Sequence, residues 1–250
     1  MAPGIQEIVN EFEPISLQQM DSVKLLDRID TKFMFKDTLL PRLLAEMKRD
    51  YYTLEVAGYR YSNYETLYFD TPDFSLYKQH HNGKLNRFKF RSRKYVESNL
   101  HFFEVKFKSN KGRTVKDRIK HHEVVKELEG TARDFMLSAS RHEAENYKAQ
   151  LWVNYRRHTF VSKHSLERLT IDTDLTFIDD KNQMTYHGLA IAEVKQGVAH
   201  EKSPFVALMK KYHIREKSIS KYCLGVISLH PEIKKNNFKP TLLHLHKLLS

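Results

Sequence analysis

The spacing of apolar residues along the chain changes near residue 59. Before this point, apolar positions recur at helical spacing and predict helices over residues 16–27 and from Asp37 to about residue 47, separated by an extended segment over residues 30–36. Beyond it, polar and apolar residues alternate, and turn residues separate the alternating stretches. This pattern predicts strands over residues 59–70, 85–95, 100–108, 113–121, 152–162, 167–177 and 189–196.

Helical spacing returns at three places within and after the strand series. One helix is expected over residues 131–147, and two more over residues 204–212 and 221–228. No repeat, low-complexity block or linker rich in Pro, Gly or Ser divides the chain. We therefore expect a single α+β domain of 250 residues, with its strand-rich body over about 12–230 and a basic tail over 231–250.

Basic residues concentrate on one face of the predicted strands. Because side chains alternate across a strand, Arg87, Lys89, Arg91 and Arg93 share a face opposite the neighbouring phenylalanines. A solvated sheet face explains such a pattern in any one strand, but like charges that recur on several strands repel one another. We predict that the antiparallel sheet closes into a barrel with a basic bore that binds anions. The cations expected to line it are Arg91, Arg93, Lys106, Lys116, Arg157 and Lys221.

Composition agrees with an anionic ligand. The chain has 42 Lys plus Arg against 31 Asp plus Glu, a formal net charge of +11, which favours phosphate compounds, nucleic acid or acidic membrane. The single cysteine, Cys223, excludes an intramolecular disulfide and is expected in the core. The sequence has no secretory signal pattern and no apolar stretch long enough to span a membrane, so we expect a cytoplasmic protein.

Two Glu-Val-Lys triplets place a carboxylate beside a cation on one strand face. These are Glu104 with Lys106, and Glu193 with Lys195. Carboxylate oxygens suit Mg²⁺ or Mn²⁺, which bridge protein acids to substrate phosphates, whereas a lone triplet of this kind is most often a surface ion pair. The surrounding cations favour the metal interpretation.

Nine short segments, in order along nearly the whole chain, resemble one known family. They are Arg28-Ile-Asp-Thr-Lys32-Phe, Thr66-Leu-Tyr-Phe-Asp70-Thr, Arg91-Ser-Arg93, Phe103-Glu-Val-Lys106, Thr114-Val-Lys116-Asp-Arg118, Tyr155-Arg-Arg157, Glu167-Arg168-Leu-Thr-Ile-Asp172, Glu193-Val-Lys195 and Ser220-Lys221-Tyr222. The chain resembles the polyphosphate polymerase domain of the vacuolar transporter chaperone (VTC) complex, within the triphosphate tunnel metalloenzymes.

The resemblance implies a closed tunnel of eight antiparallel strands flanked by helices, holding a triphosphate and Mn²⁺ or Mg²⁺. It implies transfer of the terminal phosphoryl group of ATP to a growing polyphosphate chain, with release of ADP. Glu193 is the implied metal ligand, with Glu104 as a second acid. The catalytic cations are Lys32, Arg91, Arg93, Lys106, Lys116, Arg157 and Lys221. Substrate binding is assigned to Arg118, Tyr155, Arg168, Lys195 and Ser220.

Three alternative functions stay open. The same tunnel could hydrolyse tripolyphosphate or nucleoside triphosphates, because water and a phosphate chain can compete for one transfer site. A non-catalytic module could bind polyphosphate without turnover. Binding of RNA, or hydrolysis of an RNA 5′-triphosphate, is a minority interpretation: the aromatic rings alternate to the face opposite the cations, which favours packing over base stacking. A nucleic-acid partner is therefore disfavoured.

Overall fold

The computed structural model describes residues 4–22, 28–111, 113–197 and 202–250. The helices within these ranges are α1 (Ile5–Asn10), α2 (Leu17–Ser22), α3 (Leu40–Met47), α4 (Ser75–His81), α5 (Gly130–Ser140), α6 (Pro204–Lys211), α7 (Lys221–Leu229) and α8 (Lys239–Leu249). The strands are β1 (Pro14–Ile15), β2 (Arg28–Lys36), β3 (Tyr51–Leu54), β4 (Ser62–Asp70), β5 (Arg87–Tyr95), β6 (Leu100–Lys108), β7 (Thr114–His121), β8 (Lys148–Ser162), β9 (Glu167–Ile178), β10 (Gln183–Tyr186) and β11 (Leu189–Gly197).

Most sequence-derived elements are present, and the differences lie in their ends. The helix expected over 131–147 stops at Ser140, because Arg141 adopts a left-handed conformation (φ 58°) and its N–H bonds to the Leu137 carbonyl. The chain then re-enters the sheet at Lys148, so β8 starts earlier than expected. Of the helix expected over 16–27, α2 covers Leu17–Ser22, and residues 23–27 lie outside the described residues.

The sheet is antiparallel along its main path, but the expected closed eight-stranded barrel is wrong. Eight strands follow the order β2-β11-β9-β8-β4-β5-β6-β7, and three short strands attach to them, giving eleven in the described residues. The strands at the two ends of this path, β2 and β7, do not pair with each other within those residues. The observed fold is therefore α+β, with one large open antiparallel sheet flanked by helices.

The free edge of β2 is already used, which explains why the sheet does not close. Phe33 forms an antiparallel bridge with Glu216, and the Lys217 N–H donates to the Lys32 carbonyl at 2.8 Å. These bonds occupy backbone groups that β7 would need. Strand β7 is correspondingly open to solvent, with most of its residues exposed.

The sheet nevertheless curls strongly. Lys32 on β2 and Lys89 on β5 are five strands apart in the path, yet both reach the same short segment: Lys32 Nζ donates to the Ile219 carbonyl at 3.3 Å, and Lys89 Nζ to Ser220 Oγ at 2.8 Å. We call the sheet face that carries these two lysines the concave face. Residues 216–220 thus contact both β2 and β5, although the two ends of the strand path do not pair.

Helices cover the convex face in two separate clusters. Helices α1, α3 and α6 pack against β2, β9 and β11, with side chains such as Phe35 and Ile171 buried between them. Helix α5 covers β4, β5 and β6 around Phe90 and Phe103. These phenylalanines alternate with the basic residues of the same strands, so packing explains why the rings lie opposite the cations.

Helix α7 fills one half of the concave face. Its apolar side packs against Leu151, Val153, Leu175 and Phe177, and Cys223 is buried there as expected. The residues interpreted as a basic tail continue this cluster, because α8 buries Leu245 against it. Within the described ranges, no helix has the length and apolar content needed to cross a bilayer.

A bulge in β9 makes this division of the concave face possible. Between Asn154 and Arg156 of β8, the paired residues of β9 advance from Thr176 to Thr173, so β9 holds one extra residue, and Asp174 has a φ of 55°. One extra residue reverses which side chains face inward. Leu175 and Phe177 therefore face α7, while Asp172 faces the charged half.

The close approach of α7 to β8 and β9 requires a glycine. A Cβ at Gly225 would lie 2.6 Å from Phe177 Cδ1 and 2.7 Å from Leu151 Cδ2. We expect Gly225→Ala to lower the free energy of unfolding by about 1–3 kcal/mol through overpacking, as measured by urea denaturation. Gly197→Ala is the control, because its Cβ would make an ordinary 4.0 Å contact with Leu166. Equal stability of the two variants would contradict this packing.

A buried carboxyl at the start of β9 makes stability depend on pH. Glu167 accepts a hydrogen bond from Tyr51, whose hydroxyl also accepts from the Phe205 N–H at the start of α6. Burial raises the pKa of Glu167 above its ordinary value of 4.5, only partly offset by the Tyr51 bond. Glu167 thus stabilises the fold below pH 4.5, and this contribution is lost as pH rises through the folded-state pKa. We expect the Tm of Glu167→Gln to rise relative to that of wild type as the pH increases above 4.5. A Tm difference that does not change with pH would contradict the raised pKa of Glu167.

Candidate active site

The charged half of the concave face begins with a fully buried ion pair between β5 and β6. Arg91 Nε and Nη2 lie 2.6 and 2.5 Å from Glu104 Oε2, and Arg91 Nη1 donates to the Tyr68 hydroxyl at 3.1 Å. Burial opposes the charged form of Glu104, but Arg91 and Arg93 outweigh it and hold the pKa of this carboxyl below its ordinary value. Glu104 Oε1 is buried without a hydrogen bond, 3.6 Å from Lys116 Nζ.

Arg93 is held by neutral groups instead. Its Nε donates to Thr66 Oγ1 and its Nη2 to the Tyr155 hydroxyl, both at 3.1 Å, and the guanidinium lies 5.0 Å from the centre of the Tyr64 ring. In the described part of the chain, no carboxylate forms an ion pair with it. The positive charge of Arg93 is therefore buried and fixed in position without a carboxylate partner in the described residues.

A second acid holds two of the expected catalytic cations together. Asp172 accepts from Arg157 Nε and Nη2 at 2.6 and 2.7 Å, and from Lys221 Nζ at 2.5 Å. Burial opposes its ionisation, but Arg157 and Lys221 outweigh burial and keep the pKa of Asp172 below its ordinary value. Because Lys221 is the first residue of α7, this triad also fixes the start of that helix.

The third acid lies on β11. Glu193 Oε1 is 2.5 Å from Lys195 Nζ, and Glu193 also acts electrostatically on Lys106 across the concave face. Burial opposes the charged form of Glu193, but Lys195 and Lys32 outweigh it and hold the pKa of the carboxyl below its ordinary value. Burial, together with Arg91 and Arg93, lowers the pKa of the Lys106 amine well below its ordinary value. Lys106 therefore sits where an added anion would be strongly stabilising.

Two of the expected site residues, Arg118 opposite Glu104 and Arg168 opposite Lys195, lie on the concave face and contact other parts of the chain. Arg118 is exposed on β7, with its guanidinium 4.4 Å from the centre of the Phe102 ring. Arg168 donates to the Met20 carbonyl at 3.3 Å, near the end of α2. The expected site residues, these two included, thus lie on the concave face or at the start of α7.

Several residues of the site were not among the sequence-derived candidates. Lys89, Tyr68 and Thr66 contact the central group, and Asp172 anchors two of its cations. Alternation along β5 had already placed Lys89 on the face of Arg91, and the same alternation along β4 could have identified Tyr68 and Thr66. Asp172 shares the face of Arg168 by the same alternation, because no bulge separates the two residues in β9.

The acids fit a metal only in combination with phosphate. No group of three or more His, Cys, Asp or Glu side chains able to hold an ion occurs in the parts of the chain that the structure describes. Glu104 and Asp172 are neutralised by arginines, whereas Glu193 has a lysine partner that a divalent ion could replace. Mg²⁺ is commonly bound by one or two carboxylates plus substrate phosphates. Glu193 and Oε1 of Glu104, which accepts no hydrogen bond, suit that arrangement.

The curled antiparallel sheet carries buried arginines and half-buried lysines on its concave face, an arrangement that can bind an anion. A scan against family models matches the VTC domain over residues 27–230, and the chain belongs to the VTC domain family. This confirms the resemblance found in the sequence. No curated protein matches the sequence.

Solved structures with similarity to the chain share little sequence with it. A provisionally named adenylate cyclase from Vibrio parahaemolyticus has 15% identity and a TM-score of 0.48, with 79% of this chain and 97% of that chain covered. A similarly named protein from Bacillus halodurans has 14% identity and a TM-score of 0.47, covering 77% and 93%. An adenylyl cyclase candidate from Hippeastrum with a dominant triphosphatase activity has 11% identity and a TM-score of 0.45, covering 80% and 95%.

Removal of the Asp172 charge tests the buried triad. We expect Asp172→Asn to lower the free energy of unfolding by about 3 kcal/mol, because Arg157 and Lys221 would lose their counter-ion in a buried site. Tripolyphosphate should then raise the Tm of Asp172→Asn more than that of wild type, since the ligand replaces the missing negative charge. Asp174→Asn is the matched control on the same strand, because Asp174 is exposed and 3.8 Å from Arg156. Identical unfolding curves for the two variants would contradict the triad.

Proposed function

We propose that the chain is a metal-dependent polyphosphate polymerase that transfers the terminal phosphoryl group of ATP to a polyphosphate chain and releases ADP. The observation that carries this proposal is the excess of fixed cations over acids on the concave face, in a chain of the VTC domain family. Arg93, Lys106, Lys32 and Lys89 have no carboxylate ion pair in the described residues, so a bound polyanion would supply the missing charge.

Phosphoryl transfer needs positioning and charge neutralisation more than a nucleophilic side chain. Arg91 and Arg93 are held rigidly by Glu104, Tyr68, Thr66 and Tyr155, so their donors are fixed before substrate binds. Preorganised donors stabilise the charge that spreads over the transferred group without reorganisation during the reaction. In this proposal the two arginines bind the reacting phosphates, and Lys106 contributes charge from the neighbouring strand.

The opposite side of the concave face supplies the remaining groups. Arg157 and Lys221, joined through Asp172, would bind phosphates at the start of α7, and Tyr155 and Ser220 would donate hydrogen bonds. Glu193 would hold Mn²⁺ or Mg²⁺ once Lys195 has moved aside, with Glu104 Oε1 as a second oxygen. A divalent ion bound there would supply charge neutralisation to the phosphate oxygens.

Hydrolysis is a second candidate function, and the open sheet favours it. Strand β7 is exposed and unpaired on its outer side within the described residues, so water can approach the phosphates beside Lys116. A triphosphatase would use the same cations and metal with water as the acceptor. The two functions differ only in the acceptor, and product analysis separates them.

The test incubates purified protein with ATP and Mn²⁺, resolves products on a gel stained for polyphosphate, and assays ADP and free phosphate in parallel. A ladder with ADP supports the polymerase. Free phosphate without a ladder identifies the triphosphatase, and tight polyphosphate binding with neither product would leave a non-catalytic binding module.

Glu193→Gln separates catalysis from binding. We expect the rate of ADP release to fall about 100-fold or more, because the amide is a poor ligand for a hard divalent ion. Affinity for tripolyphosphate in the absence of metal should be retained. Glu65→Gln is the matched control, since Glu65 is partly exposed on β4 and 3.8 Å from Lys94. Undiminished turnover in Glu193→Gln would remove Glu193 from the metal site.

A further inference from the structure

Three lysines lie directly opposite one another on adjacent strands of the concave face. Lys89 on β5 pairs with Lys106 on β6, and Lys106 pairs with Lys116 on β7. At the start of β5 and the end of β6, Arg87 pairs with Lys108 in the same way. Like charges that face each other across strands repel, so this arrangement is unfavourable without a counter-ion.

The neighbouring row of paired residues, one from each of β5, β6 and β7, shows how the fold balances charge elsewhere. There Glu104 lies between Arg91 and Arg118, and its carboxylate pairs with Arg91. Across β5, β6 and β7 the rows of Lys89 and Arg87 contain no acid, and within the described residues none of Arg87, Lys89, Lys106 and Lys108 forms an ion pair with a carboxylate. Lys116 has only the 3.6 Å contact with Glu104.

Side-chain exposure increases from the row of Arg91 and Glu104 towards the row of Arg87 and Lys108. Arg91 and Glu104 are buried, Lys89 and Lys106 are half-buried, and Lys108 is exposed. The unbalanced cations therefore lead outward from the proposed reaction site. Strands lie about 4.8 Å apart, so the row from Lys89 to Lys116 spans roughly 10 Å.

His80 on α4 lies at the same end of the sheet. Its Nδ1 is 3.1 Å from Cys223 Sγ, and the charges of Lys89, Arg87 and Lys108 act on its ring. Burial and these cations lower the pKa of His80 to about 2, so the imidazole is neutral. His80 thus adds no charge, and the site's positive potential comes from the strand residues.

We propose that Arg87, Lys89 and Lys108 form a subsite for the non-reacting part of a linear polyphosphate chain. The chain leaves the reaction site over the Lys89-Lys106-Lys116 row, towards the start of β5 and the end of β6. A linear anion with one charge per unit can neutralise both rows, whereas a ligand confined to the arginines of the inner row cannot. The inference rests on the proposed function, and it assigns a direction and an end of the sheet to the chain.

The test measures binding of a long-chain linear polyphosphate and of tripolyphosphate to the full chain without metal, for wild type and for the double variant Arg87→Gln, Lys108→Gln. These side chains are half-buried and exposed, so the fold should tolerate both changes. We expect the Kd for the long chain to rise about tenfold, with the Kd for tripolyphosphate unchanged. The slope of log Kd against log salt should fall by about one for each removed contact, as for other polyanions.

Lys120→Gln is the matched control, because Lys120 points to the same face from β7 but pairs with Phe102 near the opposite end of the strands. Loss of long-chain affinity in Lys120→Gln rather than in the double variant would place the chain at the other end and overturn the proposal. Equal losses for both ligands in the double variant, or no preference of wild type for the longer chain, would also overturn it.

Binding and turnover give independent answers in this design. Length-dependent binding that needs Arg87 and Lys108, in a protein that makes no polyphosphate ladder, would remove the polymerase function and keep the subsite. A ladder made at wild-type length and rate by a double variant whose long-chain affinity is also unchanged would keep the polymerase and remove the subsite.

Discussion

The insertion of α7 into a curled sheet controls the arrangement of the whole interior. Its apolar side packs on β8 and β9 closely enough to require Gly225, while its first residues extend into the charged half. Tyr222 anchors the helix by donating to Asp70 at 2.5 Å and by stacking on Tyr68, which in turn accepts from Arg91. The position of a buried guanidinium thus depends on how α7 is seated.

Charge on the concave face is divided into a part that the protein balances and a part that it leaves unbalanced. Glu104 and Asp172 fix Arg91, Arg157 and Lys221, and a buried acid that lost such partners would be costly. Arg93 is fixed by neutral hydroxyls and rings instead. The acids therefore fix the positions of the cations that they pair with. The cations without a carboxylate partner in the described residues, such as Arg93, give the concave face its excess positive charge.

Strand alternation was enough to predict the charged face. The separation of Arg91 and Arg93 from Phe88 and Phe90 follows from a period of two, and the structure places these sets on opposite faces. The family could also be recognised from ordered motifs. The open form of the sheet could not be predicted, because it depends on a backbone bridge between Phe33 and Glu216. These residues are far apart in the sequence and carry no motif for pairing.

The inward direction of Phe177, on the same face as Asp172, shows a second limit of sequence reasoning. Without the extra residue at Asp174, β9 would present either Asp172 or Phe177 to the concave face, but not both. An aspartate with a positive φ is not distinctive in a strand that contains several polar residues. Contacts made through α7, such as the one between Lys221 and Asp172, likewise depend on packing between distant segments.

The exposed strand β7 also bears on solubility. An unpaired strand edge is a template for another copy of the same edge, and soluble proteins commonly protect it with charged residues. Lys116, Arg118 and Lys120 give this edge the same sign in every molecule, so two copies repel before their backbones can pair. A polyanion bound at Lys116 would reduce this repulsion. The ratio of polymer to protein, and not protein concentration alone, would then set the colloidal stability of the solution.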